Sequence, residues 1–201
     1  MSSDIQSTFI EAAALDADGI STAAAVGDGA SLVIGGALAS GGSVTFDQPR
    51  NVTILSAGDD SGISFTVTGT DETGDSATES ITGANAGTAT GSSYFTTVTA
   101  IAAVGDPAGN VSAGSGTAIA APMFRGRMRL RGIYAVNTGT AGTTTFRQTS
   151  SSGAVKMKFN TVASANTTQY PDVPDDGILF VAGGYVLYTQ TTLSSITVFY
   201  S

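Results

Sequence analysis

ISFTVTGTDETGDSATESIT, residues 63–82, decides the class of fold. Ile63, Phe65 and Val67 alternate with Ser64, Thr66 and Thr68. A period of two places the apolar residues on one face of a strand and the hydroxyls on the other. Glu72-Thr73-Gly74-Asp75 then breaks the pattern with turn residues, and Ser76 to Thr82 returns. This is a β-hairpin with a Gly-containing loop. The same reading extends outward. Ser43–Phe46 and Asn51–Leu55 precede the hairpin, Tyr94–Val104 follows as a longer strand, and Asn110–Ala113 resumes after Pro107 and Gly109. Beyond these lie Arg127–Val136, Thr143–Gln148, Ala154–Asn160, Ile178–Val181, Tyr185–Gln190 and Ile196–Tyr200, separated by Gly or Asp turns. Short strands at this spacing predict antiparallel sandwiches. The expected fold is all-β: two antiparallel β-sandwich-like modules with an extended or short-helical N-terminal arm. The helical option rests on Phe9–Leu15, FIEAAAL, which Asp16, Asp18 and Gly19 stop after barely two turns.

Composition agrees and removes whole classes of chemistry. Gly, Ala, Ser and Thr fill more than half of the 201 residues, and only 12% are charged. There is no His, Cys or Trp. A Ser-His-Asp or Cys-His nucleophile system has no base. His/Cys zinc, haem and iron–sulfur sites lack ligands, and no disulfide can form. The N-terminal MSSDIQSTF lacks the basic region of a secretory signal. No run is long and apolar enough to predict a membrane span.

Charge divides the chain. Residues 1–121 hold thirteen acids and one base, Arg50, for a net −12; residues 122–201 hold seven bases and three acids, for a net +4. The change coincides with Ala120-Ala121-Pro122, after the Gly/Ser/Ala stretch Ala113–Ala121. This predicts an acidic N-terminal β domain over 1–121, with its arm at 1–30, and a basic C-terminal β-sandwich domain over 122–201.

Asp60-Ser61-Gly62 matches the tripeptide of aspartic proteases, but Gly58 and Asp59 before it are turn residues rather than an apolar strand. Asp59, Asp60, Asp71, Glu72, Asp75 and Glu79 offer carboxylate pairs of the kind glycosidases use, without a Trp platform beside them. The Asp-rich turns leave a Ca²⁺ site open, although no 12-residue Asp-x-Asp-x-Asp-Gly loop is present. Solvated turn acids account for all of these, so no catalytic residue and no cofactor are expected.

The sharpest feature is Arg125, Arg127, Arg129 and Arg131. On one strand this alternation would put four guanidinium groups on one face, which an anionic surface must cover. Arg favours bidentate carboxylate pairing. A sequence pI near 4.1 argues against nucleic acid as the main partner. The expected role of the four is therefore an interface with acidic protein surface: a protein partner's, the chain's own N-terminal half, or that half of a neighbouring copy.

Two stretches resemble a known group. Phe65–Val98, with its Val-Thr-Gly-Thr-Asp hairpin, Ile-Thr-Gly turn and Tyr-Phe-Thr-Thr-Val strand, is similar to segments of virion structural proteins of tailed bacteriophages. Arg129–Ser201, with Asn-Thr-Gly-Thr-Ala-Gly, Asp-Asp-Gly-Ile-Leu-Phe and the final Thr-Val-Phe-Tyr-Ser, resembles small β-sandwich modules in phages of marine bacteria. The resemblance implies a non-enzymatic virion component, assembled in the bacterial host cytoplasm. It does not separate head from tail; the strand-rich, low-charge chain without His or Cys makes a capsid decoration or cement protein the preferred role. Its expected partners are the major capsid protein or other virion proteins, and itself as a homo-oligomer, with a trimer among the options. A tail or fibre component in host attachment is the alternative, and a carboxylate-based hydrolase a second one.

Overall fold

Alternation of burial follows the alternation of residue type, strand after strand. In the computed structural model, which describes residues 4–201, 58% of the chain is in strands and the described residues contain no helix. In chain order the strands are β1 (Gln6–Glu11), β2 (Ser21–Ala24), β3 (Ala39–Ser40), β4 (Ser43–Ser56), β5 (Ser64–Asp71), β6 (Ser76–Thr82), β7 (Thr88–Thr90) and β8 (Phe95–Val104). They continue as β9 (Val111–Phe124), β10 (Met128–Asn137), β11 (Gly142–Gln148), β12 (Val155–Thr161), β13 (Thr168–Gln169), β14 (Ile178–Phe180), β15 (Gly184–Thr189) and β16 (Leu193–Tyr200). They pair into two antiparallel sheets.

The chain forms two compact units: Ala14–Thr117, and the residues up to Ala13 together with Ala118–Ser201. The Ala-rich stretch Ala113–Ala121 lies within β9, and the division falls inside that strand.

In Ala14–Thr117, β4, β8, β5 and β6 hydrogen-bond in that order, with β3 and β7 on β4 and β2 on the first residues of β9. The β5–β6 hairpin pairs Ser64 with Thr82 through Thr70 with Ser76. Phe65, Val67, Val98 and Ile101 fill the core from β5 and β8, and Val52 and Ile54 from β4. Val26, Leu32, Ile34 and Leu38 pack onto the same core, and Leu32 N–H donates to the Ile101 carbonyl at 2.8 Å. β4 loses register with β8 between Thr45 and Arg50, where Pro49 has no N–H to give the ladder. Gly69 on β5 is required by a close approach, because a Cβ there would run into the Thr97 carbonyl.

The other unit is a two-layer sandwich. One layer is β1, β16 and β10 in that order, with β13 and β14 also on β10; the other is β12, β11, β15 and the last residues of β9. Ile10, Leu130, Ile133, Ile196 and Val198 meet Ile119, Met123, Phe146 and Val186 in one core. Opposed inner faces of this kind are what alternating strands bury when they stack.

The short-helical arm is corrected. Gln6–Glu11 is an extended strand antiparallel to β16, with Phe9 opposite Thr197 and Ile10 opposite Ile196. Two helical turns are marginal alone. As a strand the segment completes a backbone ladder and buries Ile10. Gln190 Nε2 then donates to the Ala12 and Ala13 carbonyls at 2.9 and 2.8 Å, fixing the exit of the strand. The first part of the expected arm, residues 1–3, lies outside the described residues.

Candidate interaction surface

Arg125, Arg127, Arg129 and Arg131 do not share one strand face. β9 ends at Phe124 and β10 begins at Met128, so Arg125-Gly126-Arg127 is the turn between them. Gly126 takes a φ of 76°, the left-handed conformation that glycine adopts without Cβ strain, and its carbonyl accepts from Gly183 N–H at 2.6 Å. Arg125 and Arg127 are exposed, and among the described residues neither has a hydrogen-bond or ion-pair partner.

Arg129 and Arg131 lie on β10 and are half-buried. Arg129 Nη1 donates to the carbonyls of Asp176 (2.9 Å) and Gly177 (3.3 Å). Arg131 Nε donates to Ser201 Oγ at 2.8 Å, and its Nη1 to the Asp175 carbonyl at 3.0 Å. The two side chains tie the loop before β14 to the sheet. They bond to carbonyl oxygens, not to the carboxylates of Asp175 and Asp176. A register shift between Leu130 and Gly132 leaves Arg131 as the extra residue of a bulge. Beside it opens a cleft of about 400 Å³ lined by Ile5, Arg131, Val173, Pro174, Asp175 and Ser201.

The acids do turn work. Asp59 Oδ1 accepts from Ser61 Oγ (2.7 Å) and N–H (3.2 Å), and these bonds hold its carboxyl below the ordinary value. Asp71 Oδ1 accepts from Thr73 Oγ1 (2.7 Å), Thr73 N–H (2.8 Å) and Asp75 N–H (3.0 Å). Partial desolvation pushes Asp71 up, but these bonds together outweigh it and its pKa is lowered. Glu79 Oε1 accepts from Ser92 N–H (2.6 Å), Ser92 Oγ (2.8 Å) and Ser93 N–H (3.2 Å), joining β6 to the chain that follows β7. Asp60 is fully buried and its Oδ1 accepts from Ala108 N–H at 2.7 Å. The structure thus separates the members of the Asp-Ser-Gly tripeptide: Asp59, not Asp60, holds Ser61. Among the described residues, no group of three or more acids is placed to share a metal ion.

Arg50, the lone base of residues 1–121, is 1% exposed. Its Nη2 pairs with Asp47 Oδ1 at 2.8 Å, and its guanidinium carbon sits 5.7 Å from the Phe46 ring centre. With that cation inside, the solvent-facing charge of Ala14–Thr117 is entirely acidic.

One surface escapes pattern reading. Phe9, Tyr170 and Phe199 are exposed, although each sits in or beside a strand of the sandwich unit. The signal was available in Phe9-Ile10 and Val198-Phe199-Tyr200. Consecutive large apolar residues on a strand must occupy both faces, so one of them faces out.

No family model, curated protein or solved structure matches the chain.

Proposed function

We propose that this chain is a structural protein of a bacteriophage virion, most simply a decoration or cement protein on the head surface, built from two β-sandwich-like modules. The observation that carries the reading is the Arg125-Gly126-Arg127 turn. Two guanidinium groups without partners project from a glycine turn held at both ends by strands. A rigid cationic tip of this kind fits an acidic protein surface. The resemblance of Phe65–Val98 and Arg129–Ser201 to virion proteins supports the same role. So does a chain without His or Cys, in which Asp59, Asp71 and Glu79 are engaged by nearby backbone and hydroxyl donors.

Arg129 and Arg131 hold a loop of their own unit, so the contact with a partner falls to Arg125 and Arg127. The test is co-sedimentation of the purified chain with empty capsids at low and high salt. Binding that weakens with salt, and weakens further in Arg125→Gln/Arg127→Gln, is the expected result. A chain that ignores heads but binds tails moves the reading to the attachment component. One that binds no particle sinks the virion role altogether.

A further inference from the structure

The β5–β6 hairpin ends the run of strands in Ala14–Thr117: among the described residues, β6 pairs with β5 on one side and with no strand on the other. Two hydrogen bonds fix which of its backbone groups face that open side. Gly83 N–H donates to the Ile63 carbonyl and Asp71 N–H to the Asp75 carbonyl, each at 2.9 Å. Residues that bond across an antiparallel pair alternate with residues that do not. The register from Ser64 with Thr82 to Thr70 with Ser76 is unbroken, so Ala77, Glu79 and Ile81 turn their N–H and C=O toward β5. Ser76, Thr78, Ser80 and Thr82 turn theirs outward. These four residues are exposed, and among the described residues none of their outward backbone groups has a hydrogen-bond partner.

An open edge is a template for another strand, and folded chains commonly guard it with lysine, proline or a bulge. The edge strand β12 of the sandwich unit carries Lys156 and Lys158, and its ladder with β11 shifts register between Phe146 and Arg147. β6, Ser-Ala-Thr-Glu-Ser-Ile-Thr, has none of these devices. Its seven residues offer about 24 Å of edge. The backbone thus specifies the shape of an occupant: an extended segment that adds main-chain hydrogen bonds.

Charge specifies its class. Glu72 and Asp75 stand at the hairpin turn before Ser76, and Glu79 at the middle of the strand. The bridge between Asp59 and Asn85 lies just past Thr82. No exposed base of this unit offsets them, because Arg50, the one base of Ala14–Thr117, is buried. A second copy laid on the same edge brings its own acids against these, and like charges across a ladder are destabilising. We propose that the free edge of β6 is a strand-addition site for an extended basic segment of a partner protein. The segment sets Lys or Arg beside the Glu72–Asp75 turn and beside Glu79, which attracts by charge while it keeps its bonds to Ser92 and Ser93. This edge is independent of the virion reading and of Arg125 and Arg127, which belong to the other unit.

Amide NMR of the full nitrogen-15-labelled chain tests it. Two capped synthetic peptides of alternating Thr and Val serve as probes, one with Lys at the centre and at one end, the other with Glu in those places. In the free chain the Thr78 and Ser80 amides exchange with solvent faster than those of Glu79 and Ile81. The Lys peptide shifts the Thr78 and Ser80 amides and slows their exchange at least tenfold. The Glu peptide binds at least tenfold more weakly at low salt, and the gap narrows at about 1 M salt. Thr78→Pro removes an outward donor and leaves the bonds to β5, so binding falls at least tenfold. Thr78→Lys, which guards the edge without constraining the backbone, lowers it several-fold. Far-UV circular dichroism with a thermal melt verifies that each variant folds. A Lys peptide that leaves Thr78 and Ser80 unperturbed at about 1 mM overturns the proposal, as do Lys and Glu peptides that bind alike. If those amides are already protected in the free chain, and sedimentation velocity finds an oligomer that Thr78→Pro dissolves, a second copy fills the edge and the basic segment is wrong. Capsid binding that depends on Arg125 and Arg127 is read independently of all these outcomes.

Discussion

The two compact units use charge in opposite ways on one shared composition. In Ala14–Thr117, carboxylates cap turns: Asp59 over Ser61, Asp71 over Thr73 and Asp75, Glu79 over Ser92 and Ser93. The single cation is drawn inside against Asp47 and Phe46. In the sandwich unit, guanidinium groups do the tying, with Arg129 and Arg131 holding the loop at residues 175–177 by its carbonyls. Arg147 Nη1 does the same for the β11–β12 turn through Gly153. Gly- and Thr-rich loops leave backbone donors and acceptors unpaired. A carboxylate satisfies donors and a guanidinium satisfies acceptors, so either charge can order such loops. The difference teaches where each unit is vulnerable: one to acid, the other to removal of its arginines.

The hardest test of this contrast lies in the cores. Phe65 and Phe146 are each fully buried, one per unit. Truncation to Ala is expected to cost about 3–5 kcal/mol at either site. Hydrogen-exchange mass spectrometry should show protection falling first in the unit that carries the change. Equal loss across both units would erase the division. Next comes the buried cation. Asp47→Ala strips the carboxylate from Arg50, and because Asp47 is itself partly exposed the expected loss is about 1–3 kcal/mol, less than for a fully buried pair. Arg50→Met, which removes the charge and keeps an apolar stem, should unfold at lower denaturant than wild type but higher than Asp47→Ala.

Smaller effects sharpen the picture. Arg129→Gln or Arg131→Gln should each cost on the order of 1 kcal/mol and deprotect residues 173–177, while Ala14–Thr117 keeps its exchange pattern. The smallest effect is on acid sensitivity. Asp71 has a folded pKa below its ordinary 3.8. Its stabilisation is complete above that ordinary value and is lost as pH falls through the lower, folded one. In Asp71→Asn the denaturation midpoint should decline less steeply in that acid window. An unchanged pH profile would remove the carboxylate cap from the account.

Much of the fold was legible because it is local. The β5–β6 hairpin, β8, and β10 to β12 follow period-two alternation bounded by Gly and Asp, and their observed limits lie within about three residues of the expected ones. Alternation alone divides β4 into Ser43–Phe46 and Asn51–Leu55, with Asp47-Gln48-Pro49 between them. The strand runs through it with an irregular ladder. FIEAAAL carries helix-friendly residues, and the outcome turned on a partner strand nearly 190 residues away, which no local window contains. Arginine spacing told which side chains were charged, not that two of them would fall in a turn.

What the amino-acid order settled alone is the strand class, the Glu72–Asp75 hairpin turn, the missing nucleophile systems and the division of charge, all of which follow from residue type and short-range periodicity. What awaited the folded chain is the pairing of the first strand with the last, the interior place of Arg50, the separation of the four arginines and the aromatic face of the sandwich. These depend on which distant segments meet, because hydrogen-bond register and burial are decided by the partner strand rather than by the strand itself.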